Sequence, residues 1–248
     1  MSSRSSPGGG IDMNRYGKWI WASRLFDAAA LVLIPLGLYM AFLYAPTERT
    51  MKEVQRIFYF HVPAAMMGFL GFAIVLVCSI LYLWKQNRRY DAWAYAGAEV
   101  GWLFTTLVLL TGPVWARSAW GTWWTWDARL SSTLVLWLIY AAYLILRSLM
   151  ADDLRLRRYA AVLGIVGAVN VPLVYFSVSW WATQHPEAFI TRQGTMHPDM
   201  AVALRVCIVA ELFLFLALFV KRVLLELYAM ETEELLEQSK DVVRGRLG

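Results

Sequence analysis

The chain has 248 residues, 59% of them hydrophobic and only 17% charged, and its mean hydropathy is +0.49. Soluble domains carry about 25% charged and about 45–50% apolar residues, so this composition excludes a disordered chain and argues against an ordinary cytosolic globule. A net charge of +5 does not point to nucleic acid, because the basic residues lie in short clusters between apolar runs, as in a membrane protein.

In chain order, Met1–Gly10 is rich in Ser and Gly, with no apolar run before Trp19. It reads as a flexible tail over residues 1–18 rather than a cleaved signal peptide. Gly17-Lys18 is followed by Trp19, not by Ser or Thr, so it is no phosphate-binding Walker motif. Six apolar runs follow at roughly 20–45, 58–84, 92–114, 130–150, 159–180 and 200–225, each near the ~20 residues that cross a hydrocarbon core. They predict an all-α, polytopic membrane domain over 19–228. Its connections on one side fall at about 45–60, 114–130 and 180–200. A charged, solvated tail over 229–248 carries an amphipathic helix around Leu235–Leu236.

Six spans return both termini to one side. Sixteen of the 23 Lys and Arg residues fall there, in the termini and in the connections Lys85–Arg89 and Arg147–Arg158, against seven on the other side. An excess of basic residues marks cytoplasmic loops, which predicts cytoplasmic termini. Cys78 and Cys207 fall at different depths, which argues against a disulfide between them. No CxxCH motif for covalent haem attachment is present.

The first outer connection contains Thr50-Met51-Lys52-Glu53, a capping-box pattern that predicts a helix start. Met51, Val54 and Phe58 then share a face, which predicts a helix lying at the membrane surface. His61 follows near the outer end of the second span, two residues before Pro63, a proline that begins or kinks the helix. The second connection carries Trp115, Trp120, Trp123, Trp124 and Trp126, five of the 13 tryptophans within 12 consecutive residues. An interfacial belt spreads its aromatics over both membrane faces. A cluster in one loop instead makes a broad apolar platform suited to a planar macrocycle.

The third connection opens with Trp180-Trp181-Ala182-Thr183-Gln184-His185-Pro186, where the proline biases His185 toward extended backbone. Two imidazoles beside an aromatic platform, all on one side of a membrane, suit axial ligation of haem iron. A zinc site takes three or four protein ligands, and no outer Cys completes one. Two other function classes compete. A cytochrome b-type redox subunit needs axial histidines facing each other inside the bilayer, whereas His61 and His185 fall at its edge. The permease half of a small-molecule exporter needs a polar path through the spans, whereas the polar residues are expected to gather in the outer connections.

Trp120-Gly121, Trp124, Trp126-Asp127 and Arg129-Leu130 match a WGxxWxWDxRL signature. Together with FYFHVPAA at Phe58–Ala65 and WWxTxH at Trp180–His185, they make the chain resemble the tryptophan-rich haem-handling family. Within it, six spans and the chain length are similar to the cytochrome c maturation branch called CcmC. Ser131 stands where Thr is frequent. The resemblance implies a haem b with His61 and His185 as axial ligands, at the periplasmic face of the bacterial inner membrane. It implies that the tryptophan loop covers the porphyrin and presents it to the haem chaperone CcmE, whose own histidine bonds a vinyl group. It further implies an ATP-binding-cassette pair, CcmA and CcmB, and a small single-span protein, CcmD, as partners, with no enzymatic role for this chain.

The remaining outer histidine, His197, reads as a solvated loop residue, since WWxTxH fits His185. Asp127 and Arg129 are read either as a loop-fixing ion pair or, for Arg129, as the partner of a haem propionate. Arg117 is a further propionate candidate. Asp27, Glu99 and Glu211 lie within spans one, three and six, where ionisable groups are functional by default. Away from the outer face, they are expected to pair inside the bundle or to meet partner helices.

Overall fold

The computed structural model describes residues 16–149, 154–181 and 196–247. Among these, six helices are long and apolar enough to cross a membrane. They are α1 Gly17–Tyr39, prolonged by a π-wound turn Met40–Tyr44, then α2 Phe58–Lys85, α3 Arg88–Trp120, α4 Ala128–Ser148, α5 Leu154–Trp180 and α6 Pro198–Leu247. The expected all-α polytopic architecture is borne out. A hydrocarbon core offers backbone groups no water, so apolar runs of this length satisfy their N–H and C=O groups internally, as helices.

Polar punctuation sets the helix ends. Asn87 opens α3 by accepting from the Arg89 N–H at 2.9 Å. Gly121, at φ 76°, closes α3 with its N–H on the Arg117 carbonyl at 3.1 Å, a left-handed position that favours glycine. Asp127 opens α4 by accepting from the Leu130 N–H at 3.0 Å.

Close backbone approach holds α2 to α3: a Cβ added to Gly71 would lie 2.6 Å from the Gly101 Cα, the small-residue packing used between membrane helices. Phe72 of α2 stacks on Tyr140 of α4 at 3.8 Å between ring centroids, and the Tyr140 hydroxyl donates to the Gly164 carbonyl of α5 at 3.1 Å.

The helix ends sort into two poles. At the aromatic end, Phe42 stacks on Phe60 at 5.7 Å, the Tyr44 hydroxyl donates to Asp199 at 3.1 Å, and Arg129 donates to the Tyr175 carbonyl at 2.7 Å. These contacts join the ends of α1 and α5 to the starts of α2, α4 and α6. At the basic end, Trp19 meets Trp93 at 5.5 Å, Arg88 pairs with Glu233 at 3.0 Å, and Arg158 donates to Gln86 at 3.0 Å.

Polar side chains do not gather only at the aromatic end. Asp91 of α3 is buried at the basic end between Arg147 of α4, at 2.9 Å, and Arg157 of α5, at 3.1 Å. Two guanidiniums at that depth require a carboxylate, and Asp91 supplies it. Thr50-Met51-Lys52-Glu53 forms no capping box. The Glu48 carboxylate accepts from the Thr50 and Met51 N–H groups instead, while Glu53 binds Thr47 and Arg56. The surface helix is a single 3₁₀ stretch, Glu53–Ile57, running directly into α2. Pro63 lies inside α2, which continues through it. Trp115, Arg117 and Trp120 belong to α3, so the second connection spans only residues 121–127.

Gly17 and Lys18 begin α1, and residues 1–15 of the expected tail lie outside the described residues. The charged segment from Glu231 continues α6 to Leu247. Cys78 and Cys207 are buried and free. Asp27 pairs with Lys221 at 2.6 Å and Glu99 with Arg222, so these two carboxylates are answered within the bundle. Glu211 is buried, and its Oε2 has no hydrogen-bond partner among the described residues.

Candidate functional site

The aromatic end holds a cavity of about 270 Å³ walled by α2, α3, α4 and α5. Phe58, Val62, Met66 and Phe69 line it from α2, Val108, Leu109 and Pro113 from α3, and Val174 from α5. His61, Thr105, Arg129 and Thr133 add polar groups to this apolar wall.

His61 is half-buried near the start of α2. Its Nδ1 lies 2.8 Å from the Thr111 hydroxyl oxygen of α3. The next residue, Gly112, flanks the ring: a Cβ there would come 3.4 Å from the His61 Cε1. The last turns of α3 bring Trp115 edge-on to Trp120 at 5.0 Å, and both line the cavity. Gly121 then reverses the chain and Trp124 returns to the wall. Its buried indole N–H has no hydrogen-bond partner among the described residues.

The other expected site residues are placed differently. Trp126 meets Trp124 edge-on at 5.7 Å but is 78% exposed, and Trp123 is 58% exposed; neither lines the cavity. Arg117 is exposed and donates to the Gly121 carbonyl, closing α3. Asp127 acts as the cap of α4 and also accepts from the Thr125 hydroxyl at 3.2 Å. Arg129, two residues further on, lines the cavity and is tied to α5 through Tyr175.

His185 lies outside the described residues. The α5 end leading to it carries Trp180, stacked on Phe176 at 5.4 Å and meeting Trp181 at 5.9 Å. His197 is exposed ahead of α6, where its Nδ1 accepts from the Asp199 N–H at 3.3 Å. Reading the sequence missed Thr111 and Tyr175; the only local signal was the Thr111-Gly112-Pro113 interruption of an apolar run.

Chemically, the set is one imidazole, a guanidinium, two threonine hydroxyls and indole faces in a mostly apolar wall. Among the described residues, no three His, Cys, Asp or Glu side chains converge as a metal centre. This set fits a metal that arrives in a macrocycle supplying its own equatorial ligands, with an imidazole as axial ligand and a guanidinium for acidic substituents.

The sequence matches the family model described as "Heme exporter protein C" over residues 14–238. It is similar to the heme exporter protein C of Bradyrhizobium diazoefficiens, 38% identical over 206 residues, covering 83% of this chain and 76% of that relative. The same-named protein of Haemophilus influenzae is 35% identical over 211 residues, covering 84% of each. That of Escherichia coli K12 is 34% identical over 185 residues, covering 75% of each. The family match begins ahead of α1 and ends within α6, so it takes in the whole cavity wall. On this ground the chain belongs to the heme exporter protein C family.

Proposed function

We propose that the chain binds haem b in the cavity of the aromatic end and delivers it to the haem chaperone CcmE during c-type cytochrome maturation. The observation that carries this reading is the convergence of His61, Trp115, Trp120, Trp124 and Arg129, drawn from three helices and a loop, on one apolar cavity. The names of the relatives, heme exporter proteins, support a haem cargo. In this reading the chain binds and transfers; bond formation belongs to the chaperone.

His61 and His185 would hold the haem iron, and the indoles of Trp115, Trp120 and Trp124 would lie against the ring. Arg129 faces a propionate, since guanidinium–carboxylate geometry favours that pair. Arg117 stands off the wall and is the weaker candidate. Exposed Trp123 and Trp126 extend the apolar surface outward, where the chaperone approaches. Residues 19–228 form the membrane domain of a bacterial inner-membrane protein. Its termini, including the charged 229–248, lie in the cytoplasm and the aromatic end in the periplasm; the skew of basic residues supports this orientation. CcmA, CcmB and CcmD are the expected partners in the complex.

The test is a titration of the detergent-purified full chain with haemin, followed by its Soret absorption. Saturation at one haemin per chain, with the bands of a six-coordinate ferric haem, is expected. Absence of saturable binding contradicts the proposal.

A further inference from the structure

We infer that Thr111 is a positioning residue for His61: its hydroxyl accepts the Nδ1–H and so fixes the tautomer whose Nε2 lone pair is offered to iron. The inference rests on the proposed role of His61 as a haem ligand and adds a residue from a different helix.

The direction of the hydrogen bond follows from counting protons. Thr111 Oγ lies 2.8 Å from the Leu107 carbonyl oxygen and 2.8 Å from His61 Nδ1. A carbonyl oxygen only accepts, and a hydroxyl has one proton to donate. Two oxygens at that separation share a proton, so the hydroxyl donates to Leu107. The contact with the imidazole then requires Nδ1 to be the donor. A neutral imidazole protonated at Nδ1 carries its lone pair at Nε2.

The same turn of α3 also sets the ring's orientation. Gly112 follows directly, and a methyl group in place of its hydrogen would reach 3.4 Å from the His61 Cε1. The imidazole is therefore tied at one nitrogen and flanked along one edge by α3. A ligand histidine whose second nitrogen donates to a fixed acceptor is pre-oriented and more basic, and losing that partner costs about 10- to 100-fold in metal affinity.

The test compares Thr111→Val, which keeps the shape and removes the acceptor, with Thr111→Ser, which keeps the hydroxyl. Each full-length variant is purified in detergent and titrated with haemin, and the ferric complexes are examined by electron paramagnetic resonance. Thr111→Val is expected to bind haemin about 10- to 100-fold more weakly and to shift the low-spin g values, while Thr111→Ser matches wild type in both. Thr111→Ala, which removes the acceptor without adding bulk, repeats the comparison should Val disturb the packing of α3. Wild-type affinity and g values in Thr111→Val overturn the inference, as does a Thr111→Ser variant as impaired as Thr111→Val. His61→Ala is run beside them. If it also retains the wild-type spectrum, the haem-ligand reading itself fails; if it changes while Thr111→Val does not, only the positioning role fails.

Discussion

Arg129 and Tyr175 tie α4 to α5 at the cavity wall, with a guanidinium Nη2 donating to the Tyr175 carbonyl at 2.7 Å. The bond holds a planar, permanently charged group beside a mostly apolar surface, a setting that suits guanidinium recognition of a carboxylate. Replacing Arg129 by Lys keeps the charge and removes the fork. Charge-assisted hydrogen bonds contribute about 1.5–3 kcal/mol, so Arg129→Lys should lower haemin affinity by about 10-fold or more. Haemin dimethyl ester lacks the carboxylates and should bind both proteins alike. If the ester separates them as strongly as haemin does, Arg129 acts through the α4–α5 contact alone.

The tryptophans divide by position. Trp120 and Trp124 line the cavity, whereas Trp126 is 78% exposed. An aromatic contact adds about 0.5–1.5 kcal/mol beyond the area it buries. Trp120→Ala and Trp124→Ala should therefore each weaken haemin binding by about 10-fold, and Trp126→Ala much less. Impaired transfer to the chaperone with intact haemin binding is the expected signature of Trp126→Ala and Trp123→Ala. Equal loss of haemin in Trp124→Ala and Trp126→Ala would show that exposure does not sort their roles.

How much of this was legible in the sequence follows from range. Six helices were readable because a bilayer leaves an apolar run of that length one solution. Their ends were less so. Trp115 and Trp120 read as loop because they cluster with Trp123–Trp126, yet indoles sit as readily on the last turns of a helix, and the true stop is Gly121. Thr50-Met51-Lys52-Glu53 matched a capping pattern, but Glu48 reached the backbone first. His61 stood out as a histidine beside an apolar run, whereas its partner Thr111 is an unremarkable residue on another helix and becomes visible only through the α2–α3 contact. Asp91 was hidden in the same way. It is a single acid near a basic turn until α4 and α5 bring Arg147 and Arg157 to it.

That buried cluster makes a separate prediction about stability. Removing one member of a buried charge set is strongly destabilising, at about 3–5 kcal/mol. Asp91→Asn should reduce thermal stability in detergent and the yield of folded protein. The haemin affinity of the surviving fraction should stay unchanged, because the cluster lies at the pole opposite the cavity. A stable Asp91→Asn protein with impaired haemin binding would link the two ends instead.

Orientation is tested by reporters. The basic residues favour the side of the termini by sixteen to seven. A fusion after Gly248 should be active only in the cytoplasm and one at Thr122 only outside. The inverse pattern would put the cavity on the cytoplasmic side and remove access for a periplasmic chaperone.

The spin state of ferric iron in purified variants tests most directly whether haem iron is held between His61 and His185. Two imidazoles give a low-spin centre, and loss of either opens a coordination position. Electron paramagnetic resonance should show low-spin iron in the wild type and in His197→Ala, and high-spin iron or lost haem in His61→Ala and in His185→Ala. Wild-type low-spin signals in both His61→Ala and His185→Ala would contradict the account.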